Sequence, residues 1–194
     1  GETLEEIVDA VRCKRIKLEH LSFPLAGLPY TRPYYLILRN AGDRPENRPE
    51  GYFTEILFST VGRAIADAGL TGGELEETHL FFGSTSMDVP VFEGNHNKTA
   101  AVVSEMFLRS SNGYGKIASA VMERFGIGGR GYTFTTACTS SANAFLYAAS
   151  MIGQGRIGRA LVIGYDLFNN LGFYGFEGLK SLASSTYRPF DRDR

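Results

Sequence analysis

The segment from Gly131 to Ile152 changes its hydrophobic period part-way along, and that change restricts the fold more than any other feature of the 194-residue chain. Gly131 to Ala137 alternates and is rich in threonine and aromatic residues, the pattern of a strand. After Cys138 the period becomes helical, and Ala142, Ala144, Phe145, Leu146, Tyr147, Ala148, Ala149, Met151 and Ile152 leave almost no polar face. A helix of that kind is expected to be buried all round. Gly153 and Gly155 end it, and Arg159 to Gly164 then reads as an interior strand.

The upstream segments have the same alternating character. Thr3 and Glu6 have capping-box spacing before an apolar stripe of Leu4, Ile7, Val8 and Val11, which predicts a helix at the start. From Phe23 to Glu50 prolines, glycines and charges dominate, with one short strand expected over Tyr34 to Leu38. Apolar residues from Phe53 to Ala68 recur at helical spacing up to Gly69, a C-cap signal. His79 to Gly83 reads as a buried strand, Ser84 to Thr99 as a polar loop, and the following residues through Leu108 as helical. A further helix carries Ile117, Val121 and Phe125 and stops at Gly126. Helices alternating with strands imply an α/β layer structure, here a single domain over residues 1–194 with a mainly parallel sheet flanked by helices.

Twenty basic and 21 acidic residues nearly cancel, so charge offers no argument for nucleic acid or an anionic membrane surface as a partner. No apolar run approaches the roughly 18 residues of a membrane span, and Gly1 to Arg15 lacks the pattern of a signal peptide. Cys13 and Cys138 have neither disulfide-framework nor zinc-site spacing, which fits a reducing, cytoplasmic setting with no metal and no cofactor.

The chemistry concentrates at Cys138. A cysteine at the first turn of a helix sits beside unsatisfied backbone N–H groups and roughly half a unit of positive dipole charge, which favours the nucleophilic thiolate. Small neighbours, Ala137, Ser140, Ser141 and Ala142, let an acyl chain and nearby backbone approach closely. The plain alternative is that Cys138 is a small buried core residue.

Thr136-Ala137-Cys138-Thr139-Ser140-Ser141 matches the nucleophile motif of the β-ketoacyl synthase family, Thr-Ala-Cys-x-Ser-Ser. Val162-Ile163-Gly164, Gly175-Phe176 and Pro189-Phe190-Asp191-Arg192-Asp193-Arg194 follow in the family's order, and the chain resembles that family well from about Phe53 to Arg194. The resemblance implies a thiolase-like fold, of which this is the N-terminal half. Cys138 then matches the residue that takes an acyl group from an acyl carrier protein, with its backbone N–H as one oxyanion donor. Malonyl thioester is decarboxylated and attacks that acyl-enzyme. Thr136, Ser140 and Ser141 fall in the substrate region, and Phe107 and Leu108 fall where the family lends a side chain across its dimer to the acyl pocket, core packing being the other reading of that pair. Asp191 to Arg194 is an exposed loop by composition and scaffolding near the site by resemblance.

The resemblance also implies gaps. The family's catalytic histidines, its lysine and its second oxyanion donor belong to a C-terminal half, and its first strand precedes the position matched by Gly1. His20, His79 and His96 do not match those histidines. A homodimer, or a heterodimer with a related synthase subunit, is the expected assembly; a non-catalytic partner subunit that shapes chain length is the alternative, although such relatives usually lack the cysteine. Two other patterns carry less. Gly126-Ile127-Gly128-Gly129-Arg130-Gly131 fits G-x-G-x-x-G, but a helix precedes it and a strand follows, the reverse of a dinucleotide site. A Cys138–His96 pair oriented by Asp88 or Asn95 has no local support.

Overall fold

Thr3 and Glu6 close the capping box that their spacing predicts: the Glu6 amide donates to Thr3 Oγ1 at 3.2 Å and the Thr3 amide to Glu6 Oε2 at 3.4 Å. Helix α1 (Leu4–Arg12) follows, with its apolar stripe open to solvent. The computed structural model describes residues 3–13, 19–25, 28–34, 52–86, 89, 116–185 and 190–192. They divide into two compact units, one of Gly1–Asn47 with Phe176–Arg194 and the other of Arg48–Gly175.

In the first unit, β1 (Glu19–Leu25) and β2 (Leu28–Tyr34) form an antiparallel hairpin in register from Glu19 opposite Tyr34 to Leu25 opposite Leu28. The hairpin runs into the stretch from Phe23 that the sequence reads as a connection, while the strand expected over Tyr34 to Leu38 lies, beyond Tyr34 at the end of β2, outside the described residues. Proline misled the reading. Pro24 faces Pro29, and Pro33 faces His20. A residue without an N–H is excluded from a central strand but tolerated in a two-stranded ribbon, where each strand has an open edge. Arg32 on β2 forms a two-pronged ion pair with Glu177, Nε to Oε2 at 3.2 Å and Nη2 to Oε1 at 2.9 Å.

The second unit holds the sheet. Helix α2 (Tyr52–Asp67) ends at Gly69, whose φ of 62° allows the Gly69 amide to reach Ala66 O and the Leu70 amide to reach Ile65 O, closing the last turn as predicted. A short helix, α3 (Gly72–Glu76), leads into β3 (His79–Ser84), followed among the described elements by α4 (Lys116–Phe125), β4 (Gly131–Phe134), α5 (Ser140–Gly153), β5 (Ala160–Tyr165) and α6 (Asn170–Gly178), whose last three residues belong to the first unit. The strands are parallel in the order β4-β3-β5, with Leu80 beside Gly131 and Leu161, and Gly83 beside Phe134 and Gly164.

Central β3 is apolar on successive residues because both of its faces are covered. Leu80 and Phe82 meet Leu57 and Val61 of α2 and Ala118 and Val121 of α4. Phe81 points the other way, onto Ala144, Ala148 and Met151 of α5, and stacks on Tyr132 with ring centroids 4.9 Å apart. Each such buried side chain contributes about 1.5–3 kcal/mol. The α/β layering expected from the sequence is thus present, with α2 and α4 on one face and α5 on the other.

The expectation that α5 is buried all round is corrected. Ala144, Ala148 and Met151, spaced four and three residues apart, face the sheet, whereas Phe145 and Leu146 are 62% and 63% exposed. Only one layer lies against this helix among the described residues.

The G-x-G-x-x-G pattern is a turn between α4 and β4. Gly128 and Gly129 donate to Leu75 O and Thr78 O, and a Cβ on Gly129 would lie 2.3 Å from Thr78 O. His79, at the start of β3, is held in the same place: its Nδ1 accepts from the Arg130 amide at 3.1 Å.

Two outcomes follow from this packing. Leu80→Ala, at a fully buried position, is expected to cost about 2–5 kcal/mol in urea denaturation of this chain, while Leu146→Ala stays within about 0.5 kcal/mol. At α3, the Thr71 amide and hydroxyl, together with Arg159 at 2.8 Å, hold the Glu74 carboxyl below its ordinary 4.5. A carboxylate with a depressed folded-state pKa stabilises above its unfolded value and loses that contribution as pH falls through the folded one. The gap in melting temperature between wild type and Glu74→Gln should therefore be present at neutral pH and close progressively in acid.

Candidate active site

Parallel strands place their C-terminal ends at one edge of the sheet, where loops between strands and helices gather. At this edge β4 stops at Phe134, a 3-10 turn spans Ala137–Thr139, and α5 begins at Ser140. Cys138 sits in that turn, a free thiol exposed to solvent, immediately before the N-terminal end of a 14-residue helix. The sequence predicts the cysteine in the helix's first turn; it lies instead in the preceding 3-10 turn, which runs straight into α5 and keeps it at the positive end of the dipole.

The elbow is strained and clamped. Ala137 has a φ of 52°, the left-handed region, which costs a residue with a Cβ roughly 1–2 kcal/mol. Hydrogen bonds hold it from several directions. Buried Ser140 accepts from the Thr136 amide at 2.9 Å and donates to Ala137 O at 2.6 Å. Thr85, just beyond β3, donates to the same oxygen at 3.2 Å. Thr139 Oγ1 donates to Thr136 O at 2.7 Å, and Asn143 Nδ2 to Thr136 Oγ1 at 2.7 Å. At about 1 kcal/mol net each, such bonds are enough to offset the strain.

A pair of glycines brings the helix start this close. Gly83 and Gly164 are neighbours in adjacent strands. A Cβ on Gly83 would lie 2.6 Å from the Ser140 carbonyl carbon, and one on Gly164 would lie 2.6 Å from Ser141 Oγ. Both separations are below any ordinary contact, so the beginning of α5 rests on bare backbone. Next to this seat, Ser86 ties the ends of β3 and β5 together: its amide and hydroxyl donate to Asp166 Oδ1 at 3.3 and 3.1 Å.

Of the expected site residues, Cys138, Thr136, Ser140 and Ser141 come together here. Ser140 is buried with its hydroxyl engaged by backbone, Ser141 lies over Gly164, and Thr136 is exposed. Phe107 and Leu108 lie outside the described residues, as do Asp88, Asn95 and His96. His79 is at the opposite end of the sheet from Cys138, since β3 and β4 run parallel and His79 begins one while Cys138 follows the other. A cavity of about 370 Å³ also opens at that far end, lined by Ala64, Ile65, Leu75, Thr78 and Leu161 with Arg159, and takes no part in the thiol site. Among the described residues no group of three or more His, Cys, Asp or Glu side chains could hold a metal ion, and no helix is long and apolar enough to cross a membrane.

Sequence reasoning missed Thr85, Asn143, Ser86 and Asp166. Asn143 had a readable signal, lying four residues after Thr139 on the same helical face; the others depend on strand order.

Residues 46–194 match the family described as beta-ketoacyl synthase, N-terminal domain. The chain belongs to that family. A chain in the solved structure of a ketosynthase (ApeO) in complex with its chain length factor (ApeC) from Xenorhabdus doucetiae is similar at a TM-score of 0.69 and 19% identity, over 100% of this chain and 51% of that one. The thiolase-like fold expected from the resemblance is the fold found, and the chain spans about half the length of that neighbour. No curated protein matches it.

The glycine seat generates a test. Gly83→Ala should cost about 1–3 kcal/mol in denaturation, since the methyl group meets backbone that cannot rotate away. It should also slow alkylation of Cys138 by iodoacetamide, read by intact mass, because relief of the clash lifts the start of α5.

Proposed function

We propose that the whole protein is a β-ketoacyl synthase-type condensing enzyme that carries its acyl intermediate on Cys138. The observation behind this is the exposed thiol on a strained, many-times-clamped elbow at the C-terminal edge of a parallel sheet. A packing cysteine needs neither the strain nor the exposure. In the first half-reaction the Cys138 sulfur attacks the thioester carbonyl of an acyl carrier protein. A new C–S bond forms, the carrier thiol leaves, and it takes the proton that the cysteine gives up. In the second, a malonyl thioester loses carbon dioxide and its carbanion attacks the acyl carbon. A carbon–carbon bond forms and the Cys138 sulfur departs, giving a β-ketoacyl thioester two carbons longer.

The backbone supports charge development in the first step. The 3-10 turn's hydrogen bonds begin with the Thr139 amide to Thr136 O and the Ser140 amide to Ala137 O. The Cys138 N–H precedes that series and has no hydrogen-bond partner among the described residues, so it is the group we assign to an oxygen gaining negative charge. Histidines for decarboxylation, and a second donor, would come from a second half of the enzyme, and the exposed apolar face of α5 around Phe145 and Leu146 is the surface such a half would cover.

The substrates of this reading are acyl and malonyl thioesters on an acyl carrier protein, in fatty acid, polyketide or polyene synthesis, with a cytoplasmic setting. Assembly with a related subunit is supported by the neighbour, a ketosynthase that pairs with a chain length factor. The competing reading, a non-catalytic partner subunit, leaves the construction around Cys138 without a use.

Incubated with an acyl-carrier thioester, the full-length protein should gain the acyl mass on Cys138, and Cys138→Ala should gain none. Equal labelling of both proteins by intact mass would sink the assignment, and a wild type that stays unlabelled would favour the partner-subunit reading.

A further inference from the structure

The amide that joins Ala137 to Cys138 carries two groups at once: the Ala137 oxygen at one end and the Cys138 N–H at the other. A trans peptide is planar, so whatever fixes the oxygen fixes the direction of the N–H. Two hydroxyls grip that oxygen. Ser140 does so from within the elbow, at 2.6 Å. Thr85 does so from just beyond the end of β3, at 3.2 Å and 52 residues away in sequence. Thr85 is itself held on either side, by β3 before it and by Ser86 after it, whose amide and hydroxyl both donate to Asp166 at the end of β5.

We infer that Thr85 is a positioning residue for the oxyanion donor: its hydroxyl, backed by the Ser86–Asp166 link, aims the Cys138 N–H at the oxygen of the bound thioester. A donor on the carbonyl side of an amide also polarises it, making the N–H on the other side a stronger donor. The inference rests on the condensing-enzyme reading and adds to it a residue outside the nucleophile motif. It applies to a step in which charge gathers on oxygen, and not to other reactions of the same sulfur. That difference supplies the test.

Acylation of Cys138 passes through an oxyanion, whereas alkylation by iodoacetamide displaces iodide at a saturated carbon and develops none. In the full-length protein, Thr85→Val keeps the shape and deletes the hydroxyl at an exposed position. Its maximal rate of acylation by an acyl-carrier thioester should fall about tenfold at unchanged half-saturation, because an interaction made in the transition state alone is lost. Its rate of iodoacetamide alkylation should match wild type. Thr85→Ser, which restores the hydroxyl, should acylate within about twofold of wild type. Wild-type acylation by Thr85→Val, equal slowing of both chemistries, or no recovery in Thr85→Ser would each overturn the inference while leaving the condensing-enzyme reading in place. A wild type that alkylates at Cys138 but is never acylated would overturn that reading, and the inference with it.

Discussion

The close approach of α5 to the sheet governs the rest of the site. Helices normally stand off a sheet by the length of the side chains between them, but here Gly83 and Gly164 lie side by side and remove those side chains at the point where the helix begins. The chain leaving β4 must then turn within Thr135 and Thr136 to enter a helix whose first residues already touch strand backbone. A turn that tight forces one residue into the left-handed region, and Ala137 takes that conformation. The strain, the exposure of the next residue and the density of hydrogen bonds around the elbow are consequences of one steric fact.

The two ends of the sheet are built for different tasks. At the N-terminal end of the strands, Gly128 and Gly129 press a turn against Leu75 and Thr78, His79 accepts a backbone hydrogen bond, and Arg159 bridges Glu74 and Glu77. These contacts satisfy groups that would otherwise be left without partners, and they leave no reactive side chain exposed on the turn. At the C-terminal end, polar side chains instead spend their hydrogen bonds on holding a thiol outward. The buried row Leu80-Phe81-Phe82 joins the two ends, so that the elbow rests on a rigid strand.

What the sequence made legible was local. The Thr3–Glu6 box, the Gly69 stop of α2, the buried strand from His79 and the strand-to-helix elbow at Cys138 are each written within a few residues, where propensity and spacing act directly. The hairpin of β1 and β2 was hidden because its prolines contradict the ordinary strand signal, and helix α3 because five residues carry almost no periodicity. Contacts such as Thr85 with Ala137, or Ser86 with Asp166, 80 residues apart, require knowing that β3 lies between β4 and β5, and no short-range pattern encodes strand order. Four of the expected site residues sit together because they lie in one motif; Thr85, which grips the motif's backbone, comes from beyond the end of another strand.

The misjudged burial of α5 is informative in its own right. A helix that is apolar nearly all round is expected to have neighbours on every face, and the sheet answers only the face of Ala144, Ala148 and Met151. The remaining face, with Phe145 and Leu146 in solvent, costs free energy in this chain by itself, at about 25 cal/mol per Å² of apolar surface left wet. Cys138 stands in the 3-10 turn that runs straight into this same helix, so the exposed thiol and the exposed apolar face belong to one continuous segment. Among the described residues, the helix that lacks a second layer is thus the one that the thiol-bearing turn runs into.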